Sequence, residues 1–139
     1  MPAEQTAEEL QLVLGMLLRQ VRSAAGGGVS LSQMSVLKRL DRLGPSTASD
    51  LARAEKIRPQ SVIATVNALQ AEGLVARTPH PTDGRQLLIA LTPQGQSLVH
   101  ERRKAGHDLI AELISERLTP IEQELLASAI PLLRRLAED

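Results

Sequence analysis

Near the start of the chain, apolar residues fall at Leu10, Val13, Leu14, Leu17, Leu18 and Val21, the spacing that lines one stripe of a helix. It predicts a first helix from Glu4 to Arg22, ended by Gly26-Gly27-Gly28. Ser32 precedes a second pattern carrying Met34, Leu37, Leu40 and Leu43. Gly44-Pro45 then stops it, because proline cannot continue a helix, which predicts helix over Gln33 to Leu43. Thr47, with Asp50 three residues on, offers a hydroxyl for the free amides of a third helix and a carboxylate for its positive first turn; this helix is expected from Ala48 to Glu55. Pro59 suits a first helical position, where no intrahelical amide bond is lost. A fourth helix follows to Glu72, with Val62, Val66 and Leu69 on one side and Gln60, Ser61, Thr65 and Asn67 polar. Gly73 suits the left-handed residue beyond its end.

Beyond Gly73 the period changes. Leu74 to Thr78 and Gln86 to Leu91 are short runs rich in Leu, Val and Ile, joined by a polar stretch that includes Asp83-Gly84-Arg85, which predicts a β-hairpin. Thr92-Pro93 repeats the cap-then-proline signal before a long helix, and Thr119-Pro120-Ile121-Glu122 is a capping box for a last one. That last helix carries Leu125, Leu126, Ala129, Ile130, Leu133 and Leu136. Pro131 lies inside it, so a kink or early end is expected there.

Two short helices with a tight link form a helix-turn-helix, the second sized for the roughly 12 Å major groove of DNA. The hairpin directly after it is the wing. The expected fold is therefore mainly α with a small β-hairpin: one domain over 1–139, a winged helix-turn-helix over about 30–92, and helical dimerisation parts over about 4–22 and 93–137. Terminal helices this apolar in a small chain leave surface seeking a partner, which favours a homodimer.

Composition narrows the functional classes. With no cysteine among 139 residues, disulfides, thiol catalysis and thiolate zinc sites are excluded. With no Phe, Trp or Tyr, the platforms on which single-stranded bases stack cannot exist. The apolar run at Leu12 to Leu18 is far short of the roughly 20 residues a membrane span needs, and Glu4, Glu8 and Glu9 do not suit a secretory leader; a cytoplasmic protein without membrane association is expected. No nucleophile elbow, phosphate loop or paired-carboxylate arrangement is present, so no enzyme is expected. His100 and His107 share a helical face near Glu101 and Asp108, yet form no tight ligand cluster; neither metal nor cofactor is expected.

Charge gives the DNA reading little help. The 16 basic and 16 acidic residues balance. Within residues 45–92, Arg53, Lys56, Arg58, Arg77 and Arg85 face Asp50, Glu55, Glu72 and Asp83, five against four for a net of +1. Placement must do what the total does not.

The wing string Asp83-Gly84-Arg85, with Leu91-Thr92 following six residues after Arg85, then Pro93 and Gly95, together with Ala71-Glu72-Gly73-Leu74-Val75 before the hairpin, resembles the MarR (multiple antibiotic resistance regulator) family over nearly the whole chain. The resemblance implies a homodimer that binds a roughly palindromic double-stranded DNA operator as a repressor, relieved by a small, often phenolic or aromatic, ligand. Carried over by position, Arg85 would enter the minor groove, with Asp83 orienting the loop and His80 beside it in the wing. Arg58, Gln60, Ser61, Thr65 and Asn67 would contact phosphates and base edges, amides pairing bidentately with adenine. Lys56 and Arg77 would contact phosphates. The chain departs from the family at Ile63-Ala64, where a Ser/Thr-Arg pair is common midway along the recognition helix, which bears on the strength or specificity of base reading. The competing function is a winged-helix dimerisation or adaptor module with weak or lost DNA binding.

Overall fold

Hydroxyl side chains open four of the six helices of this chain. In the computed structural model, which describes residues 1–139, the elements run α1 (Ala3–Ala25), α2 (Leu31–Leu43), α3 (Ala48–Glu55), α4 (Pro59–Ala71), β1 (Val75–Pro79), β2 (Leu87–Leu91), α5 (Pro93–Arg117) and α6 (Pro120–Ala137). Complete capping boxes start α2 at Ser30 with Gln33, α3 at Thr47 with Asp50, and α6 at Thr119 with Glu122. At α5 the Thr92 hydroxyl accepts from the Gly95 amide at 3.1 Å. The cap of α2 is thus Ser30 rather than Ser32. Its partner Gln33 lies three residues on, the spacing a reciprocal box needs, so α2 begins two residues before the expected Gln33.

The chain divides into two compact units, Gly26–Arg103 and Met1–Ala25 with Lys104–Asp139. The first has its own core. Val36, Leu37 and Leu40 of α2, Leu51 and Ala52 of α3, Val62, Val66 and Leu69 of α4, with Leu74, Val75, Ile89 and Val99, are all buried. Without aromatic residues this core is aliphatic throughout, each Leu or Val contributing about 1.5–3 kcal/mol by leaving water. β1 and β2 pair antiparallel, Val75 opposite Leu91 through Pro79 opposite Leu87. Ser46 adds an isolated bridge to Ile89, exchanging backbone bonds of 3.0 and 2.8 Å. This third edge ties the start of α3 to the hairpin, and nothing in the local sequence of Ser46 announces it.

In the second unit, α1 and α6 have no buried residue. Leu12, Leu18 and Leu125 are more than half exposed, at 64%, 60% and 65%. Gly106 of α5 is buried and lies so close to α1 that a side chain there would meet Val21 at 3.0 Å. α6 continues through Pro131 to Ala137, so of the expected kink or early end the early end does not occur: the helix turns on past a single missing amide. No helix is long and apolar enough to cross a membrane.

Candidate nucleic-acid interface

The turn between α3 and α4 is set by two backbone devices. Lys56 closes α3 in the left-handed conformation, φ 56° and ψ 42°. Arg58 is then extended, φ −72° and ψ 144°, because Pro59 bars the helical conformation from the residue before it. No side chain caps α4 at Arg58; Pro59 has no amide and those of Ser61 and Val62 bond the Arg58 carbonyl at 3.0 and 3.3 Å, so the Gln60 amide and the positive end of the helix dipole are what this end offers an anion. Lys56, Arg58, Gln60 and Ser61 are all exposed at this end. Thr65, half-buried, donates its hydroxyl to the Ser61 carbonyl at 3.0 Å.

Val62, Val66 and Leu69 bury the inner face of α4. Its outer face carries Gln60, Ile63, Ala64 and Asn67, all exposed and spaced to share one side of a helix. The apolar middle of this row, Ile63-Ala64, is therefore presented outward and takes no part in the core.

Past α4, Gly73 is left-handed, φ +76°. Its carbonyl accepts from the Thr92 hydroxyl at 2.7 Å, while the Thr92 amide bonds Leu74 at 3.1 Å. One residue thereby joins the end of α4, the end of the wing and the start of α5. On the wing, Arg77 of β1 reaches back to α4, its Nη2 donating to Asn67 Oδ1 at 2.8 Å and its Nη1 to Gln70 Oε1. This contact was not legible from the sequence, which had given Arg77 and Asn67 separate roles.

The wing tip is held by its own side chains. His80 Nδ1 accepts from the Thr82 and Asp83 amides at 3.2 and 3.1 Å, which requires the ring proton on Nε2. Asp83 Oδ1 accepts from the Arg85 amide at 3.1 Å. His80 and Asp83 thus shape the loop, and the exposed Arg85 is left with a free guanidinium.

Carboxylates nearby are drawn elsewhere. Asp50 bonds Arg53 at 2.5 Å. Its carboxyl is held below the usual range, first by the Thr47 hydroxyl and then by the Thr47 amide. Glu55 is taken by α2: Ser35 Oγ donates to it at 2.6 Å and Arg39 Nε at 3.0 Å. Lys56, Arg58 and Arg85 take part in none of the ion pairs. The near-neutral total of this region therefore conceals three free cations, two in the turn before α4 and one in the wing. No group of three or more His, Asp or Glu side chains is arranged to hold a metal.

A helix-turn-helix with cations in the turn before its outer helix and an adjoining two-stranded wing defines a winged-helix DNA-binding protein. Residues 29–87 match the MarR family. The chain is 37% identical to the HTH-type transcriptional regulator Mb0904 of Mycobacterium bovis, covering 96% of this chain and 93% of that one. It is 29% identical to the HTH-type transcriptional repressor MdtR of Bacillus subtilis, over 91% and 83% of the two chains. Among solved structures, a transcriptional regulator from Pseudomonas aeruginosa superposes with a TM-score of 0.88 at 32% identity, covering 97% and 95%. The chain belongs to the MarR family and is a DNA-binding transcriptional regulator. The adaptor alternative draws no support from these relatives.

Proposed function

We propose that the protein is a homodimeric repressor that places α4 of each subunit in successive major grooves of a roughly palindromic operator, about 34 Å apart, with each wing against the adjoining minor groove. The observation that carries this reading is the sorting of charge. Of the five cations in residues 45–92, only Arg53 has a carboxylate partner: Lys56, Arg58 and Arg85 have none and Arg77 is held by the Asn67 and Gln70 side chains, while of the four carboxylates Asp50, Asp83 and Glu55 are each engaged by a side chain or backbone amide and Glu72 alone is unpaired. Lys56, Arg58 and Arg85 supply phosphate or minor-groove contacts, and Gln60, Ser61, Thr65 and Asn67 face the groove from α4. His80 and Asp83 act by shaping the wing, and Arg77 by bracing it.

The homodimer is supported by the exposed apolar residues of α1 and α6, among them Leu14, Leu17, Leu18, Leu125 and Leu136. Such faces on a small chain are ordinarily covered by a partner, and two copies of one chain cover them symmetrically. Repression is supported by the relative named a repressor, and relief by a small, often phenolic, ligand by the family resemblance. With no aromatic residue, such a ligand would sit between aliphatic walls and a few polar groups. Regulation, with no catalytic step, is the activity proposed.

The test is fluorescence anisotropy with upstream promoter DNA across a salt series. Arg85→Ala should weaken binding and flatten the salt dependence by about one unit of slope per lost phosphate contact. Titrations identical to the unaltered protein would remove Arg85 from the interface, and no binding by either protein at low salt would favour the adaptor.

A further inference from the structure

The bracing of Arg77 changes what the recognition helix can read. An amide side chain recognises adenine by presenting its oxygen and its NH2 side by side, accepting from N6 and donating to N7. In this protein the Asn67 carbonyl oxygen is turned toward the wing by Arg77 Nη2 at 2.8 Å, and the Gln70 oxygen is turned toward Nη1 of the same guanidinium. The outward part of Asn67 is then its NH2, a donor only. One turn before it on the same face stand Ile63, 44% exposed, and Ala64, also exposed, neither of which offers a hydrogen bond.

This pair of properties selects among the bases. A donor-only amide suits acceptors in the major groove, which are O4 of thymine, O6 and N7 of guanine and N7 of adenine, but on adenine it meets the adjoining N6 amino group with no acceptor to offer. An isoleucine pressed on the purely polar edge of guanine would strip water from it without replacing the lost bonds. Thymine alone carries a methyl group beside its acceptor. We propose that α4 is specific for thymine within each half-site, Ile63 and Ala64 receiving the C5 methyl and the Asn67 NH2 donating to O4 of that base or its neighbour. Arg77 is the positioning residue that sets the amide. This inference rests on the reading above in which α4 enters the major groove.

The experiment begins with selection of duplexes from a randomised library by the full-length protein, followed by single replacement of each thymine in the selected site with uracil, which deletes only the C5 methyl. At one or two thymines per half-site the unaltered protein should lose affinity roughly threefold to fivefold, the worth of one buried methyl group. Ile63→Ala should abolish that sensitivity. Contacts of the wing in the minor groove are indifferent to the change, since the methyl lies in the major groove. Selection repeated with Arg77→Ala should admit adenine beside the thymine, because the Asn67 oxygen is then free to turn outward. A selected site in which every thymine tolerates uracil overturns the proposal while leaving α4 as the reading helix. A library from which nothing is enriched overturns that reading and the proposal with it. The uracil series uses the unaltered protein, so its result stands whether or not Arg77→Ala folds.

Discussion

Glu55, in the last turn of α3, is bound to Arg39 of α2, Oε1 to Nε at 3.0 Å. The pair is largely withdrawn from solvent, with side-chain exposures of 13% for Glu55 and 30% for Arg39, whereas Asp50 with Arg53 and Lys104 with Asp108 lie in the open along single helices. Arg39 also reaches the Ala54 carbonyl at 3.4 Å. Arg39→Ala should therefore cost about 1–3 kcal/mol, the usual penalty for leaving a half-buried charged acceptor short of a donor. An exposed-pair variant such as Lys104→Ala should cost under about 1 kcal/mol. Urea unfolding of the two variants checks the contrast, and equal effects would sink it.

The same carboxylate sets an acid limit. Burial pushes the Glu55 carboxyl up, but the Ser35 hydroxyl and the Arg39 guanidinium outweigh burial and hold it below the ordinary range. Asp50 is lowered by the Thr47 hydroxyl and amide, and Glu122 by the Thr119 amide and hydroxyl. A lowered folded pKa means that the unfolded chain binds the proton first as pH falls. The stability these groups contribute is fully present above the ordinary carboxylate pKa of about 4 and is lost as pH falls through the folded values. The urea midpoint should be flat from neutral pH to about pH 5 and decline below it. Glu55→Gln should lower the plateau and soften the decline; a midpoint that rises on acidification would contradict the assignment.

Gly95 is held by contact, not by backbone conformation. A Cβ at this position would lie 2.1 Å from the Leu74 carbonyl oxygen and 3.3 Å from Leu91 Cδ2, inside the junction where Thr92 ties α4 to the wing. Gly95→Ala should destabilise the protein by roughly 2–3 kcal/mol, since the backbone must shift to admit the methyl, and should weaken DNA binding as the wing moves. Gly84, in the wing loop, has nothing within 4 Å of such a Cβ, and Gly84→Ala should be near neutral. Thermal denaturation of both variants decides; a tolerated alanine at Gly95 would show that the junction yields.

Helix limits were legible wherever a hydroxyl, a proline or a glycine marks them. Thr47 with Asp50 fixed the start of α3, and Pro59 and Gly73 framed α4 to within a residue. The core face of α4 followed from period alone. Contacts between elements far apart in sequence were not legible, because single-sequence patterns encode only local geometry. The Ser46 bridge to Ile89, the Glu55 tie to α2 and the Arg77 brace on Asn67 each join segments that only the folded chain brings together. For the candidate interface, this means that its residues could be nominated from the sequence while the donor and acceptor pattern they present could not.

Lys56 separates stability from affinity. It is the one non-glycine residue with positive φ, 56°, a conformation costing an L-residue about 1 kcal/mol or more. Lys56→Gly removes that cost but adds freedom to the unfolded chain, so a net gain of up to about 1 kcal/mol is expected. Lys56→Ala keeps the cost. Both delete a cation with no carboxylate partner beside the start of α4, so both should weaken DNA binding alike and lower the salt slope by about one. Paired urea and anisotropy measurements test this, and a glycine variant less stable than the alanine variant would overturn it.

Pro131 sits inside α6, which runs unbroken from Pro120 to Ala137. The residue has no amide to give the Ala127 carbonyl four positions earlier, and its ring crowds the preceding turn. The helix persists in spite of this, and Leu133, beyond the proline, is half-buried. Pro131→Ala restores the backbone bond and a good helix former, so it should stabilise the protein by about 1–3 kcal/mol. The gain should be read as a higher thermal midpoint and as greater helicity by circular dichroism. A proline required for the shape of α6 gives the opposite result, a lower midpoint with loss of the dimer on size exclusion. The sign of the change therefore distinguishes a proline merely tolerated in this helix from one that shapes the face proposed for dimerisation.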